Sequence, residues 1–198
     1  MATYPAIAAT SQAIIGLLEA TAPGSEFADV PFQLYGTDDL QKATAETTAV
    51  SLYLYRVSLD ASSRNHPPRR DPEGRQSRPA VPLQLHYLLT AFSPDPAMQQ
   101  RLLGWCVRVL EDSSTLPAGL LNHYGPETDV FWPDETVELS WEPLSTQDVF
   151  DVWEVARTNQ QPSVGYVARV LAIESTIPLD EHPLVQATEL RYGRVTAP

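Results

Sequence analysis

Residues 49–57 read Ala-Val-Ser-Leu-Tyr-Leu-Tyr-Arg-Val, and residues 81–92 read Val-Pro-Leu-Gln-Leu-His-Tyr-Leu-Leu-Thr-Ala-Phe. Both stretches are rich in branched and aromatic residues, which favour extended backbone. Apolar runs of this kind are typical of strands whose middles are covered on both faces. The sequence therefore predicts two long strands that pair with each other.

The connection between these strands, residues 60–80, is rich in arginine and contains four prolines. A connection of this length without apolar anchors is usually functional or disordered. We predict a projecting loop whose arginines form a subunit or partner interface, because the guanidinium fork suits carboxylates at protein interfaces. The alternative interpretation is a solvated flexible loop. The candidate interface residues are Arg64, Arg69, Arg70, Arg75 and Arg78.

Three helices are predicted from the spacing of apolar residues and from capping signals. The first begins near Pro5, the second follows Ser93-Pro94-Asp95-Pro96, and the third begins at Ser145, where Asp148 completes an approximate capping box. Apolar residues at helical spacing are expected to pack inward; they are Ile7, Ile14, Ile15 and Leu18 in the first helix, Met98, Leu102, Cys106, Val109 and Leu110 in the second, and Val149, Phe150, Val152 and Trp153 in the third.

The shorter elements complete an α+β fold, with a mostly antiparallel sheet and flanking helices. A length of 198 residues fits one domain, which we expect over residues 1–177, with an irregular tail over 178–198. The remaining predictions are a short edge strand within 27–35, a loop over 36–46, a helical turn over 116–121 and strands over 136–141 and 164–173.

The net charge of −12 is unevenly distributed along the chain. Residues 56–78 hold six arginines and three acids, a net charge of +3, whereas residues 127–154 hold nine acids and no lysine or arginine. An acidic chain with one basic loop is a poor general binder of nucleic acid, because neutralising phosphates needs a positive surface. The two opposite charges predict instead that copies of the chain contact one another head to tail, which forms a ring if the rotation closes.

Motifs for catalysis, metal binding and cofactor binding are absent from the sequence. It has no G-x-S-x-G elbow, no G-x-G-x-x-G and no P-loop. The single cysteine, Cys106, excludes an internal disulfide, and we interpret it as a buried small hydrophobe. We predict a non-enzymatic protein without cofactor or metal, in which His86 is a hydrogen-bonded structural residue. The alternative is a small acidic enzyme whose site combines His86, His123 and Asp134.

The four tryptophans, Trp105, Trp132, Trp141 and Trp153, are interpreted as core or interface packing. No stretch approaches the roughly 20 apolar residues of a membrane helix. No lysine or arginine precedes Lys42, so the apolar N-terminal segment lacks the positive region of an export signal. We therefore expect a protein that is made and folded in the cytosol and has no membrane partner.

Several segments of the chain carry a resemblance to a known family. The segments are AIAATSQAIIGLLE at 6–19, LYLYRV at 52–57, RNHPPR at 64–69, PLQLHYLLT at 82–90, QRLLGW at 100–105 and YVARV at 166–170. Together, and in the same order over about residues 3 to 177, they resemble the cap, or tail-terminator, proteins of extracellular contractile injection systems.

This resemblance implies a structural role in a phage-tail-like particle that is assembled in the bacterial cytoplasm. Such proteins form a hexameric ring on the end of the inner tube distal to the baseplate. The ring stops tube polymerisation and attaches the last layer of the sheath. The implied partners are further copies of the chain, the tube protein and the sheath protein. A baseplate or adaptor component of the same particle is the alternative.

Overall fold

A computed structural model describes residues 2–44, 46–63, 76–125 and 127–179. Within these ranges the chain forms six strands and five α-helices. The strands are β1 (Phe32–Tyr35), β2 (Ala49–Leu59), β3 (Val81–Phe92), β4 (Thr115–Pro117), β5 (Thr136–Glu142) and β6 (Ser163–Ile173). The helices are α1 (Ala6–Thr21), α2 (Thr37–Lys42), α3 (Pro96–Asp112), α4 (Ala118–Tyr124) and α5 (Thr146–Ala156).

The six described strands form one sheet in the order β1-β2-β3-β6-β5-β4. The two long predicted strands, β2 and β3, pair antiparallel from Ala49 opposite Phe92 to Leu59 opposite Leu83. Only the β1–β2 pair among these strands is parallel; the other neighbours are antiparallel. The predicted α+β fold with a mostly antiparallel sheet and flanking helices is therefore confirmed, and the sheet is mixed because of β1.

The two faces of the sheet are distinguished by the alternation of residues along β3. Leu85, Tyr87 and Leu89 belong to the main core together with residues of α1, α3 and α4, and we call this side the α1 face. The intervening Leu88 packs in a second core with α2 and α5, and we call that side the α5 face. Helices therefore cover both faces of the sheet.

The α1 face holds the larger core. Ile14 and Leu18 of α1 are fully buried there, as their helical spacing predicts. Helix α3 contributes Leu102, Cys106 and Leu110, all at most 1% exposed. The apolar side of α1 is thus covered by the chain's own core.

Gly16 allows α4 to pack closely against α1. A Cβ atom at this position would overlap the ring of Tyr124. We expect Gly16→Ala to destabilise the protein by about 1 kcal/mol, because overpacking costs about 1–3 kcal/mol and the better helix propensity of alanine offsets about 1 kcal/mol. Urea denaturation measures this free energy of unfolding.

Gly104 of α3 provides the matched control, because nothing lies within 4 Å of its Cβ position. We expect Gly104→Ala to stabilise the protein by about 0.5–1 kcal/mol through helix propensity alone. A Gly16→Ala protein that is stabilised to the same extent as Gly104→Ala would contradict the close packing of α1 and α4.

The α5 face holds a smaller core, in which Trp153 and Ala156 of α5 pack with Leu40 of α2 and with Leu88 and Phe92 of β3. The predicted capping box at the start of α5 is confirmed. The Ser145 hydroxyl accepts from the backbone N–H of Asp148 at 3.1 Å, and the Asp148 carboxylate accepts from the backbone N–H of Ser145 at 3.0 Å. Helix α5 therefore packs on the sheet with its N-terminus capped by Ser145.

Three local predictions were wrong or incomplete. Residues 36–46 were predicted as a loop but contain α2, which Leu40 anchors as a single buried side chain. The predicted helical turn over 116–121 begins instead as strand β4 and becomes helix α4 only at Ala118. Phe150 is 50% exposed rather than packed inward, because the four predicted positions of α5 span about 160° of the helix, more than one contact covers.

Candidate functional site

Four of the five predicted interface arginines, Arg64, Arg69, Arg70 and Arg75, lie outside the described residues. Arg78 is described and exposed, and its backbone N–H donates to the carbonyl of Ile177 at 3.0 Å. The N–H of Leu179 donates in turn to the carbonyl of Gln76 at 2.7 Å. The chain entering β3 is therefore paired with the segment that follows β6.

An apolar surface lies where β2 ends and β3 begins. Val57, Leu59 and Val81 are 45%, 52% and 46% exposed, and we call them the hairpin surface. Val57 pairs with Leu85 and Leu59 pairs with Leu83, so their side chains lie on the α1 face. Val81 lies on the same face, because it precedes Leu83 by two residues.

A groove lies between α5 and β2 on the opposite face. Tyr53, Tyr55, Asp151, Val152 and Val155 line this space of about 200 Å³, which we call the α5 groove. Val155 is 66% exposed at its rim. The groove thus combines two phenol rings, aliphatic side chains and one carboxylate.

A polar cluster joins three strands beside this groove. The Tyr55 hydroxyl donates to Glu142 Oε2 at 2.9 Å, and His86 Nδ1 lies 2.7 Å from Glu142 Oε1. The Ser58 hydroxyl lies 2.7 Å from His86 Nε2. Arg56 donates to Glu142 Oε1 at 3.2 Å. Side chains from β2, β3 and β5 therefore meet around one carboxylate.

The strand register explains how this cluster forms. The bulge between Leu54 and Arg56 turns Arg56 to the side of its pairing partner His86. Glu142 pairs with Gly165 of β6, and the missing side chain of this glycine allows the Glu142 backbone and the Leu144 side chain to approach β6 closely. A Cβ atom at Gly165 would approach the Glu142 carbonyl to 2.8 Å.

The contacts Ser58–His86–Glu142 have the connectivity of a serine–histidine–carboxylate triad. Arg56 binds the same Glu142 oxygen that His86 contacts, so the carboxylate is shared with a cation. His86 is 4% exposed, and both its ring nitrogens have partners. His86 is hydrogen-bonded at both ring nitrogens, as predicted, and the cluster can fix the register of three strands.

The alternative enzyme residues do not converge on His86. His123 is exposed on α4 and packs edge-on against the ring of Tyr124, while Asp134 lies in the exposed turn before β5. Among the described residues, no group of three histidine, cysteine, aspartate or glutamate side chains is placed to hold a metal ion. In the same part of the chain, no helix is long and apolar enough to cross a membrane.

The strongly acidic sequence does not form one uniform surface. Glu138 lies opposite Arg169 in the register of β5 and β6, and Glu142 binds Arg56. Hydrogen bonds from Ser145 lower the pKa of Asp148, and Arg56 lowers it further. Asp151 is the carboxylate that lines the α5 groove. Glu142 is therefore neutralised within the chain, whereas Asp151 is exposed.

The buried titratable groups belong to the core. Cys106 is fully buried, which confirms its interpretation as a small hydrophobe, and this burial raises the pKa of its thiol to about 12. Burial also raises the pKa of Tyr55, and the hydrogen bond to Glu142 raises it further, so this phenol stays protonated and donates. Tyr55, Ser58 and Glu142 were not predicted as members of a cluster, although a charged Arg56 inside an apolar strand signals a buried partner.

Two of the four tryptophans pack in the core, and the other two are about half exposed. Trp153 is 2% exposed, and Trp105 packs against Phe27 with ring centroids 5.5 Å apart. Trp132 and Trp141 are 43% and 49% exposed. The prediction of core packing is confirmed for the first two.

A larger open cleft of about 570 Å³ follows the edge strand β1 and α2. Gln33, Asp39, Lys42 and Thr44 contribute its polar lining, and Phe32 lies at its base. Its charged groups, Asp39 and Lys42, are of opposite sign.

Comparisons with known proteins identify both a family and a fold. A family model described as the Pvc16 N-terminal domain matches residues 9–187. The sheath/tube terminator of PVC, an extracellular contractile injection system, was solved in the extended state and is 14% identical with a TM-score of 0.58, covering 93% of this chain and 63% of that chain. The tube-terminating cap of the anti-feeding prophage is 15% identical with a TM-score of 0.55, covering 92% and 60%.

The chain spans less than two thirds of the length of either structure. No curated protein matches the sequence. The six-stranded sheet with helices on both faces is therefore a fold that this chain shares with two terminators, at low sequence identity.

Proposed function

Because the chain belongs to the Pvc16 N-terminal domain family, we propose that it is a structural cap, or tail terminator, of a contractile injection system. The observation that carries this proposal is the family match over residues 9–187, in a chain whose fold resembles two tube terminators. The cap lies on the end of the inner tube distal to the baseplate, ends tube polymerisation and attaches the last sheath layer.

The cap acts as a ring, which we propose to be a homo-hexamer. Its partners are further copies of the chain, the tube protein and the sheath protein, without nucleic acid, membrane or cofactor. Two exposed apolar surfaces on opposite faces of the sheet, the hairpin surface and the α5 groove, support a head-to-tail contact between copies. The proposed site of synthesis and assembly is the bacterial cytoplasm.

The mechanism is geometric and not enzymatic. One side of the ring matches the exposed end of the tube, and the other side lacks the surface on which a further tube ring would add. The arginines of the 60–80 stretch form the subunit or partner interface in this proposal. These residues are Arg64, Arg69, Arg70, Arg75 and Arg78.

Deleting the chain from the particle tests this function. We expect tubes of uncontrolled length, or particles whose sheath detaches from the tube, because nothing then ends tube growth. Electron microscopy of purified particles measures tube length and sheath attachment. Particles of normal length and normal contractility would overturn the proposal. If particles that lack the chain have a normal baseplate, the chain acts at the distal end. A defective baseplate would favour the alternative, a baseplate or adaptor component.

A further inference from the structure

The α5 groove and the hairpin surface lie on opposite faces of one sheet. Val57 and Leu59 lie on the α1 face because they pair with Leu85 and Leu83, whereas α5 packs over Leu88 on the other face. The sheet and its two layers of helices separate the two surfaces within a chain. Any contact between them must therefore join two copies.

The lining of the α5 groove suits a guanidinium group. Asp151 supplies a carboxylate, Tyr53 and Tyr55 supply aromatic rings, and Val155 supplies an aliphatic wall. A guanidinium plane binds a carboxylate through two hydrogen bonds and also stacks on aromatic rings. At about 200 Å³ the groove is smaller than the usual pocket for a small molecule, so it fits one long side chain.

The ring of Tyr55 already contacts one arginine of the same chain, Arg56. The guanidinium carbon of Arg56 lies 5.9 Å from the centre of the Tyr55 ring. Arg56 also donates a hydrogen bond to Glu142, so its positive charge is paired with that carboxylate and not with Asp151. The carboxylate of Asp151 accepts from the amide of Gln147 at 2.6 Å and has no arginine partner among the described contacts of the groove.

We propose that the α5 groove binds an arginine from the 60–80 stretch of a neighbouring copy; this inference rests on the proposed ring. That stretch joins the two strands of the hairpin surface, and Arg78 within it is exposed. The arginines of this stretch and the Asp151 carboxylate have opposite charges. The hairpin surface beside the stretch and the valines of the α5 groove are both apolar. The contact is head to tail, so each copy offers an arginine to one neighbour and a groove to the other.

Charge reversal in the full chain tests this contact by analytical ultracentrifugation at physiological salt. We expect the wild type to form oligomers and Asp151→Arg to weaken self-association by on the order of tenfold or more. Glu127→Arg makes the same charge change at an exposed acid outside the groove and should retain the oligomers. Thermal unfolding confirms that each variant is folded.

Mixing two variants separates a contact between copies from a contact within one chain. A protein with Arg69→Glu, Arg70→Glu and Arg78→Glu should not associate alone, but it should form oligomers with Asp151→Arg, because both contacts are then complementary. Failure of mixing to restore association would overturn the proposal, as would a monomeric wild type or an Asp151→Arg protein that associates normally.

The same variants distinguish this inference from the proposed function. If Asp151→Arg still ends tubes at normal length in particles, the groove is not the ring contact, and the cap proposal stands. If particles that lack the whole chain already have normal length, the cap proposal fails whatever the behaviour of the groove variants.

Discussion

Replacing Glu142 with alanine should lower the free energy of unfolding by about 3 kcal/mol. The Glu142 carboxylate accepts from Tyr55 at 2.9 Å and contacts His86 at 2.7 Å, and the side chain is only 15% exposed. Its loss leaves the buried His86 ring without a carboxylate partner at Nδ1, where only Arg56 remains at 3.0 Å, and leaves the Tyr55 hydroxyl without an acceptor. Arg56 adds little to the cost, because its side chain is 56% exposed and regains water.

Glu138 on the same strand provides the control for this prediction. It is exposed and lies opposite Arg169, so Glu138→Ala should change the free energy of unfolding by less than about 1 kcal/mol. Urea denaturation of the two variants measures the difference. Equal costs for Glu142→Ala and Glu138→Ala would show that the polar cluster does not hold β2, β3 and β5 together.

Replacing Ser11 with alanine should cost about 2 kcal/mol of stability. The Ser11 hydroxyl donates to the Ile7 carbonyl at 3.0 Å, so the Tyr87 hydroxyl donates to Ser11 across 2.9 Å. Tyr87 is fully buried, and burial raises the pKa of its phenol. Alanine at position 11 therefore leaves a neutral O–H inside the core without an acceptor.

Tyr87→Phe is the informative comparison, because it removes the donor together with its need for a partner. We expect this variant to cost about 1 kcal/mol or less, and the double variant to cost no more than Ser11→Ala alone. Urea denaturation of the three proteins gives the coupling energy between the two side chains. Strictly additive costs would show that the Ser11–Tyr87 hydrogen bond does not join α1 to the sheet.

The long regular elements of this fold could be predicted from local sequence. Continuous apolar stretches predicted β2 and β3, and apolar residues at helical spacing, with capping residues, predicted α1, α3 and α5. Each of these signals depends on residues close in sequence. The hydrogen-bonded role of His86 was also accessible, because a histidine inside an apolar strand needs partners.

The parts that sequence reasoning missed depend on distant residues. Helix α2 is six residues long and is anchored by Leu40 alone, so its apolar pattern is too short to recognise. The parallel pairing of β1 with β2 is set by packing across the chain. The Glu142 cluster depends on a bulge in β2 and on a glycine in β6, and neither has a local sequence signature.

The charge pattern led to a useful hypothesis, although one of the acids has a partner distant in sequence. Nine acids lie between residues 127 and 154. Glu142 binds Arg56 and is half-buried, and Glu135 is also half-buried, whereas the other seven acids are exposed. One of these exposed carboxylates, Asp151, lines a groove.

The most direct test of the cap proposal is the position of the chain in the assembled particle. A gold-labelled tag on this chain can be located by negative-stain electron microscopy of extended and contracted particles. The proposal predicts label at one end of each tube, opposite the baseplate, in both states. Label at the baseplate, along the sheath or absent from the particle would contradict it.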